Sequence, residues 1–312
     1  MGSISVFDAH CDTISRCWRE YEGLDRNSGM LSLERTAGFE RYCQFFALWT
    51  ADGYTGYPLG GDSVERAYYA LLRCFKDQMA RNSDKVLQCR TAEEAERANR
   101  QGKAAAFLSV EGAELLGCDP GRLEQAAEDG VVAVNLTWNH ANLLSGSNCD
   151  EPERGLSPAG RAFVAKMEEL HILVDVSHLS EAGFWDVAEM ARRPFIASHS
   201  NTKSVWDHTR NLTDAQINAI IKNQGVIGLN FYTEFVGGGR DLDGVRAHLD
   251  HILELGGSAN AALGGDWDGC DTIADLPAID CLPRLYEHLL RHGYGETVIQ
   301  DLFYNNLMRV VR

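Results

Sequence analysis

AAAFLSVEG, residues 104–112, is apolar at nearly every position, where a strand with one wet face would alternate, and it carries a glutamate near its end. A run of that length without alternation suits a strand covered on both faces, the condition of a parallel sheet packed under helices. The same pattern recurs in SVFDAH (5–10), CQFFALW (43–49), VVAVNLTW (131–138), ILVDVSH (172–178), PFIASH (194–199), GVIGLNFY (225–232) and AALGGD (261–266). Between these eight candidate strands lie segments of helical character at 63–82, 91–102, 157–171, 180–193, 213–225, 242–257 and 282–293. Several open on Ser, Thr or Asp and several stop at Gly. Eight strands alternating with helices in 312 residues predict a single (β/α)8 barrel over 1–312, with a doubly wound open sheet as the other topology the pattern allows. No repeat, low-complexity tract or Pro/Ser-rich linker marks a second domain. The loops at 50–62, 142–155 and 236–241 would follow strands two, four and seven, on the face where barrel loops build a site.

Composition narrows the function. With 29 Lys+Arg against 45 Asp+Glu the formal net charge is −16, which opposes any sequence-independent grip on nucleic acid phosphates. The nine cysteines, at 11, 17, 43, 74, 89, 118, 149, 270 and 281, contain no CxxC pair and no dense framework, so reduced thiols and a cytoplasmic home are expected. No cationic, apolar leader and no run of about 18 apolar residues occurs, so neither export nor a membrane span is expected. The MG start does not complete a lipidation motif, because Val6 stands where Ser or Thr is needed.

Five of the eight candidate strands finish in side chains that bind metals or move protons: His10 and Asp12 on the first, Glu111 on the third, His178 on the fifth, His199 on the sixth and Asp266 on the eighth. In a closed parallel barrel all carboxyl ends share one rim, so these distant residues would converge without a local motif. His10 and Asp12, two apart, would project on one side. Three imidazoles and two carboxylates suit Zn²⁺ or a similar borderline cation. One ion rarely takes five protein ligands, whereas two ions roughly 3.5 Å apart would use all five, with Glu111 and a water as bridges. A single histidine at a strand end is usually structural; the pattern of five carries the argument. Cys11 and Cys270 lie beside this constellation and are expected to pack rather than ligate. His171, His248, His251, His288 and His292 sit on or at the end of helical segments and are expected in surface or helix-end roles, while His208, close to Arg210, stays open.

The motifs FDAHCDT, SVEGAELL, NLTWNHAN, VDVSHLS, FIASHS, TRNLTD, NFY, HLDHI and GGDWDG occur here in the order found in the membrane dipeptidase (renal dipeptidase) family of metallopeptidases, a branch of the amidohydrolase superfamily. From residue 7 to NNLMRVV near the end, the chain resembles that family. The resemblance implies a barrel with two Zn²⁺ per chain, His10 and Asp12 on one ion, His178 and His199 on the other, and Glu111 bridging. It further implies that His140 steadies the substrate carbonyl, that Arg210 takes the terminal carboxylate, and that Asp266 transfers protons. The implied activity is hydrolysis of free dipeptides, with a D-residue tolerated at the C-terminal position. Cys11 inside HxD, Trp267 inside GGDWDG, the 142–155 segment and the loop after NFY look individual to this chain. Ending at Arg312 without an apolar tail, it resembles the soluble microbial members. Such proteins often pair, so a homodimer is compatible with the sequence, though no stretch announces an interface. Two other readings remain: an amidohydrolase acting on N-acyl amino acids, lactams or lactones, and a noncatalytic metal-stabilised peptide-binding protein. HxD in place of HxH speaks against the first, and the retention of His140 and Asp266 against the second.

Overall fold

In a computed structural model, residues 4–51 and 61–311 are described, so most of the loop expected over 50–62 lies outside the described residues. Nine strands form, all parallel: β1 (Ser5–Asp8), β2 (Arg41–Leu48), β3 (Val86–Gln88), β4 (Ala104–Glu111), β5 (Val131–Asn135), β6 (Leu173–Asp175), β7 (Ile196–Ala197), β8 (Val226–Leu229) and β9 (Ala261–Leu263). Neighbours run β2-β1-β9-β8-β7-β6-β5-β4, and β2 pairs with β4 from Cys43↔Ala105 to Leu48↔Val110, which closes the sheet. The protein is a single (β/α)8 barrel and not an open doubly wound sheet.

The ninth strand was not anticipated. β3 pairs only with Ala104–Ala106 of β4, on the edge that β5 takes over from Leu108 onward, where the register shifts. Three residues, VLQ, make too short a run to stand out in a sequence.

Continuous apolar runs are explained by two separate apolar clusters that take alternate residues of one strand. Phe7, Phe45, Ala105 and Phe107 belong to one cluster, whereas Val6, Phe46, Ala106, Leu108 and Val110 belong to the other. The first fills the barrel: the Phe7 ring stacks on Phe45 at 5.6 Å and on Phe107 at 5.1 Å, with Ala133, Ile196, Val226 and Ala262 around them. Tyr304, Leu307, Met308, Val310 and Val311, from the chain's last helical segments, join that interior cluster. The second cluster lies between strands and helices, with Leu71, Phe75, Leu123, Ile217 and Leu249 facing the strand residues. Period-two alternation is intact; both faces are simply apolar.

Helix starts follow the expected chemistry. Thr91, Ser157, Ser180, Thr213 and Asp241 each accept a backbone N–H in the first turn of the helix they precede, and Thr213 with Gln216 completes a reciprocal capping box. Close approach at one wall is set by glycine: a Cβ on Gly228 or on Gly264 would collide with the Ser198 carbonyl oxygen. No helix among the described residues is long and apolar enough to cross a membrane.

Candidate metal centre

The carboxyl ends of the barrel strands open on one rim, and the five expected ligands meet there. Glu111 is the last residue of β4, while His10 and Asp12 follow β1, His178 follows β6 and His199 follows β7. Only β4 reaches its ligand; β1, β6 and β7 stop two to four positions short of theirs, so those side chains leave from the turns beyond. All five are buried. His10 Nε2 lies 3.6 Å from Asp12 Oδ2 and 3.4 Å from Glu111 Oε2. Toward the other Glu111 oxygen, Oε1, His178 Nε2 stands at 2.9 Å and His199 Nε2 at 3.6 Å. One carboxylate oxygen thus faces each group, as a bridging ligand requires. Mutual distance alone draws the groups differently, as His10 with Glu111 and His199, and His10 with Asp12 and Asp266. The difference arises because the His10 and His199 rings lie against each other, centroids 3.9 Å apart.

Two buried carboxylates that the sequence reading passed over shape this rim. Asp8 Oδ1 accepts the His10 backbone N–H (3.0 Å) and Gln44 Nε2–H (3.1 Å), and its Oδ2 accepts the Gly265 N–H (2.9 Å) and Trp267 Nε1–H (3.1 Å). It ties the exit of β1 to the exit of β9. Asp175 Oδ1 accepts the backbone N–H groups of Ser177 (3.0 Å) and Ser198 (3.1 Å), tying β6 to β7. Burial raises the pKa of both, and these donors work against it. The available signal was an acidic residue inside an apolar run, in FDAH and VDVSH. His178 (φ 70°) and Asp266 (φ 59°) adopt left-handed backbone without being glycine, a strain that clusters at functional sites.

The electrostatics of the cluster call for cations. His178 Nδ1–H donates to Asn139 Oδ1 at 2.8 Å, and His199 Nδ1 meets Ser198 Oγ at 2.7 Å. With the ring protons on Nδ1, both Nε2 atoms present lone pairs, yet they stand 2.8 Å from each other beside Glu111 Oε1. Such a contact is repulsive unless a cation or proton lies among them. His10 Nε2 and Asp12 Oδ1 are buried without a hydrogen-bond partner. Burial pushes the Glu111 carboxyl up to about 7 and raises Asp266. Burial also holds His178 and His199 well below the usual imidazole range; at His10 the same effect is outweighed by Glu111 and Asp12, which raise it. The neutral imidazoles of His178 and His199, with crowded carboxylates and the unpartnered His10 Nε2 and Asp12 Oδ1 beside them, fit a borderline divalent cation.

The centre forms the floor of a cleft of about 780 Å³, walled by Trp49, Trp138, Tyr232 and Phe235. Arg210 reaches into it from the loop after β7. Its guanidinium is buried over the Phe235 ring at 5.3 Å, and Nη2–H donates to the His199 carbonyl at 3.3 Å. Nε and Nη1 have no hydrogen-bond partner, although burial disfavours the charge and lowers the pKa. Asp266 also lines the cleft; its Oδ2 accepts Asn230 Nδ2–H at 3.1 Å, leaving Oδ1 4.0 Å from His10 Nε2. His140 stands apart from the cluster and is exposed, its ring 5.7 Å from that of Trp138, which in turn is 6.5 Å from His178.

Among residues expected to be bland, Cys11 packs into the apolar layer as anticipated, but Cys270 lines the cleft, its thiol donating to the Asp266 carbonyl at 3.4 Å. His248 departs from its expected surface role and is fully buried. Its Nδ1 accepts the Thr202 backbone N–H at 3.2 Å, and Nε2–H donates to the Val236 carbonyl at 3.0 Å. The helix Leu242–Glu254 turns this ring inward to anchor the start of the loop that carries Arg210.

Comparison with known proteins gives one family. The model described as membrane dipeptidase, peptidase family M19, matches residues 1–312. A crystal structure of a metallo peptidase from Rhodobacter sphaeroides, liganded with a phosphinate mimic of the dipeptide L-Ala-D-Ala, superposes with a TM-score of 0.87 at 30% identity, covering 99% of both chains. A structure described as the dipeptidase AC, a metallo peptidase of family M19, gives a TM-score of 0.89 at 29% identity over 99% of this chain and 98% of that one. An uncharacterised protein of Klebsiella pneumoniae is 31% identical over 264 residues, 81% of this chain and 97% of its own length.

Proposed function

The chain belongs to the membrane dipeptidase family, peptidase family M19, and from that premise we propose that it hydrolyses free dipeptides with two Zn²⁺ ions, tolerating a D-residue at the C-terminal position. Residues 1–312 act as one catalytic unit in this reading. The observation that carries it is a buried cluster of five ligand side chains, three of which (Asp12, Glu111 and His178) line the cleft, beside an arginine in the same cleft whose Nε and Nη1 lack hydrogen-bond partners. The phosphinate dipeptide mimic held by the Rhodobacter sphaeroides relative supports the substrate class.

His10 and Asp12 would hold one ion and His178 and His199 the other, with Glu111, whose two oxygens face the two groups, as the shared ligand. Bound there, the ions supply Lewis-acid polarisation of the scissile carbonyl and acidification of water near neutral pH. Arg210 offers Nε–H and Nη1–H as a fork to the substrate's terminal carboxylate, which fixes the scissile bond over the cluster. Asp266, steadied through Oδ2 by Asn230, keeps Oδ1 free to take a proton from the attacking water and return it to the leaving amine. His140, on the rim beside Trp138, is assigned to donate a hydrogen bond to the carbonyl oxygen. A substrate longer at its C-terminal end would place a neutral peptide group where Arg210 needs an anion, so dipeptides are preferred.

An N-acyl amino acid presents the same amide and carboxylate without the free amine. The test is therefore hydrolysis by the zinc-loaded protein of L-X-D-Y and L-X-L-Y dipeptides beside their N-acetyl counterparts, before and after chelation. Turnover of free dipeptides, lost on chelation and restored by Zn²⁺, is expected. Faster turnover of the acetylated set would transfer the protein to the N-acyl amino acid reading, and no turnover of either set would end the enzymatic one.

A further inference from the structure

Away from the cleft, the described residues bring together one more group of three ligating side chains: Asp243, His288 and His292. Asp243 lies in the first turn of the helix Leu242–Glu254. His288 lies in the last turn of the helix Leu282–Arg291, and His292 caps that helix. Four positions apart, the two imidazoles share one side, ring centroids 4.3 Å apart. His288 Nε2 stands 3.2 Å and His292 Nε2 3.8 Å from the same Asp243 oxygen, Oδ1, and the three ligand atoms lie within 4.8 Å of one another. Tetrahedral Zn²⁺, with bonds of about 2.0 to 2.1 Å, keeps neighbouring ligand atoms roughly 3.4 Å apart. The triangle already approaches that size.

The tautomer is suitable as well. His292 Nδ1–H donates to the His288 carbonyl at 2.8 Å, so its Nε2 carries the lone pair, held in place by the kind of outer hydrogen bond that metal-binding histidines use. The carboxyl end of a helix favours a cation. Arg246 competes for Asp243, with Nε at 3.1 Å from Oδ1, but its Nη1 also holds Asp250 Oδ2 at 2.8 Å. It keeps a carboxylate when Asp243 turns to an ion.

We propose that Asp243, His288 and His292 form a surface site for a divalent transition cation, Zn²⁺ in the first instance, with water completing the coordination, and that the ion clips the helix Leu242–Glu254 to the helix Leu282–Arg291. Binding forms two Zn–N bonds and one Zn–O bond and displaces any proton shared between His288 and Asp243. None of the three residues lines the cleft, so the site stands independently of the dipeptidase reading.

The experiment measures Zn²⁺ bound per chain by equilibrium dialysis at micromolar free zinc for the wild type, the double variant His288→Ala/His292→Ala, and Asp243→Asn, with melting curves as the check on folding. The wild type is expected to hold one equivalent more than the double variant. Asp243→Asn should weaken that extra equivalent at least about 10-fold. Added Zn²⁺ should raise the melting temperature of the wild type above any rise seen in the double variant. Equal stoichiometry in the wild type and the double variant would overturn the site. An extra equivalent indifferent to Asp243→Asn would overturn the three-ligand assignment.

Discussion

Replacing Arg210 by Met separates binding from stability. Arg210 is 3% exposed, and two of its guanidinium nitrogens, Nε and Nη1, have no hydrogen-bond partner. In the proposed substrate complex those donors meet a carboxylate. Hydrogen bonds to charged groups contribute about 1.5 to 3 kcal/mol each, so the pair is worth about 3 to 6 kcal/mol. At 1.4 kcal/mol per factor of ten, Arg210→Met should lower kcat/KM for free dipeptides by about 10² to 10⁴. Without substrate the terms nearly cancel. The substitution forfeits one hydrogen bond from the charged group to His199, about 1.5 to 3 kcal/mol, and the stacking on Phe235, about 1 to 2 kcal/mol. It also removes two buried, unpaired donors whose desolvation costs about 1 to 3 kcal/mol each. A side chain of similar length that packs on Phe235 should therefore leave the melting temperature of the zinc-loaded protein nearly unchanged. The assay compares kcat/KM for a dipeptide and its C-terminal carboxamide in both proteins. The wild type should prefer the acid strongly, and the variant should show little preference. Equal losses on acid and amide, or a melting temperature several degrees lower, would refute the assignment of Arg210 to the carboxylate.

Asp266→Asn should cut kcat by about 10² to 10⁴ while changing KM little and leaving zinc content intact, because the amide keeps the shape but cannot take a proton; loss of metal together with activity would make Asp266 a ligand instead. Burial pulls His248 down to about 4, so the folded state holds it neutral while the unfolded chain protonates near 6.5. Its contribution is therefore present above pH 6.5 and is lost as pH falls through 4, up to about 3 kcal/mol in all. Urea unfolding should show His248→Gln narrowing its stability gap to the wild type by about 2 kcal/mol between pH 7 and 5; a constant gap would contradict this. Gly264→Ala would press a methyl group into the Ser198 carbonyl, and a cost of about 3 kcal/mol or more should appear as reduced soluble yield and a lowered unfolding midpoint, with normal yield and midpoint as the contrary result.

The layered architecture was legible because eight of its strands are apolar on both faces, as parallel strands covered by helices require; closure over an open doubly wound sheet shows only in the pairing of β2 with β4. β3 was not legible, since Val86–Gln88 lies on an edge of β4 and has too few residues to form a pattern. The meeting of His10, Asp12, Glu111, His178 and His199 was legible for a topological reason: parallel strands deliver their exits to one rim whatever their separation in sequence. What holds that rim was hidden. Asp8 and Asp175 act through backbone N–H groups of neighbouring exits, contacts that leave no periodicity. His248 was misjudged because spacing identifies the faces of a helix without telling which polar side chain finds partners inside. Arg210 and His140 rested on resemblance alone; Arg210 lines the cleft, whereas His140 is exposed beside Trp138.

Asp8 joins the turn after β1 to Gly265 and Trp267 beyond β9, and this seam sets an order of events during synthesis. His10 and Asp12 leave the ribosome roughly 250 positions ahead of Asp266, a delay of roughly 10 to 50 s at ordinary elongation rates. Until the later segment emerges, the nascent polypeptide has imidazoles and carboxylates but no wall to set them against. For the metal centre proposed above, ordered loading would then follow translation, since a polypeptide stalled short of its last barrel strand would carry the ligands without the wall that sets them.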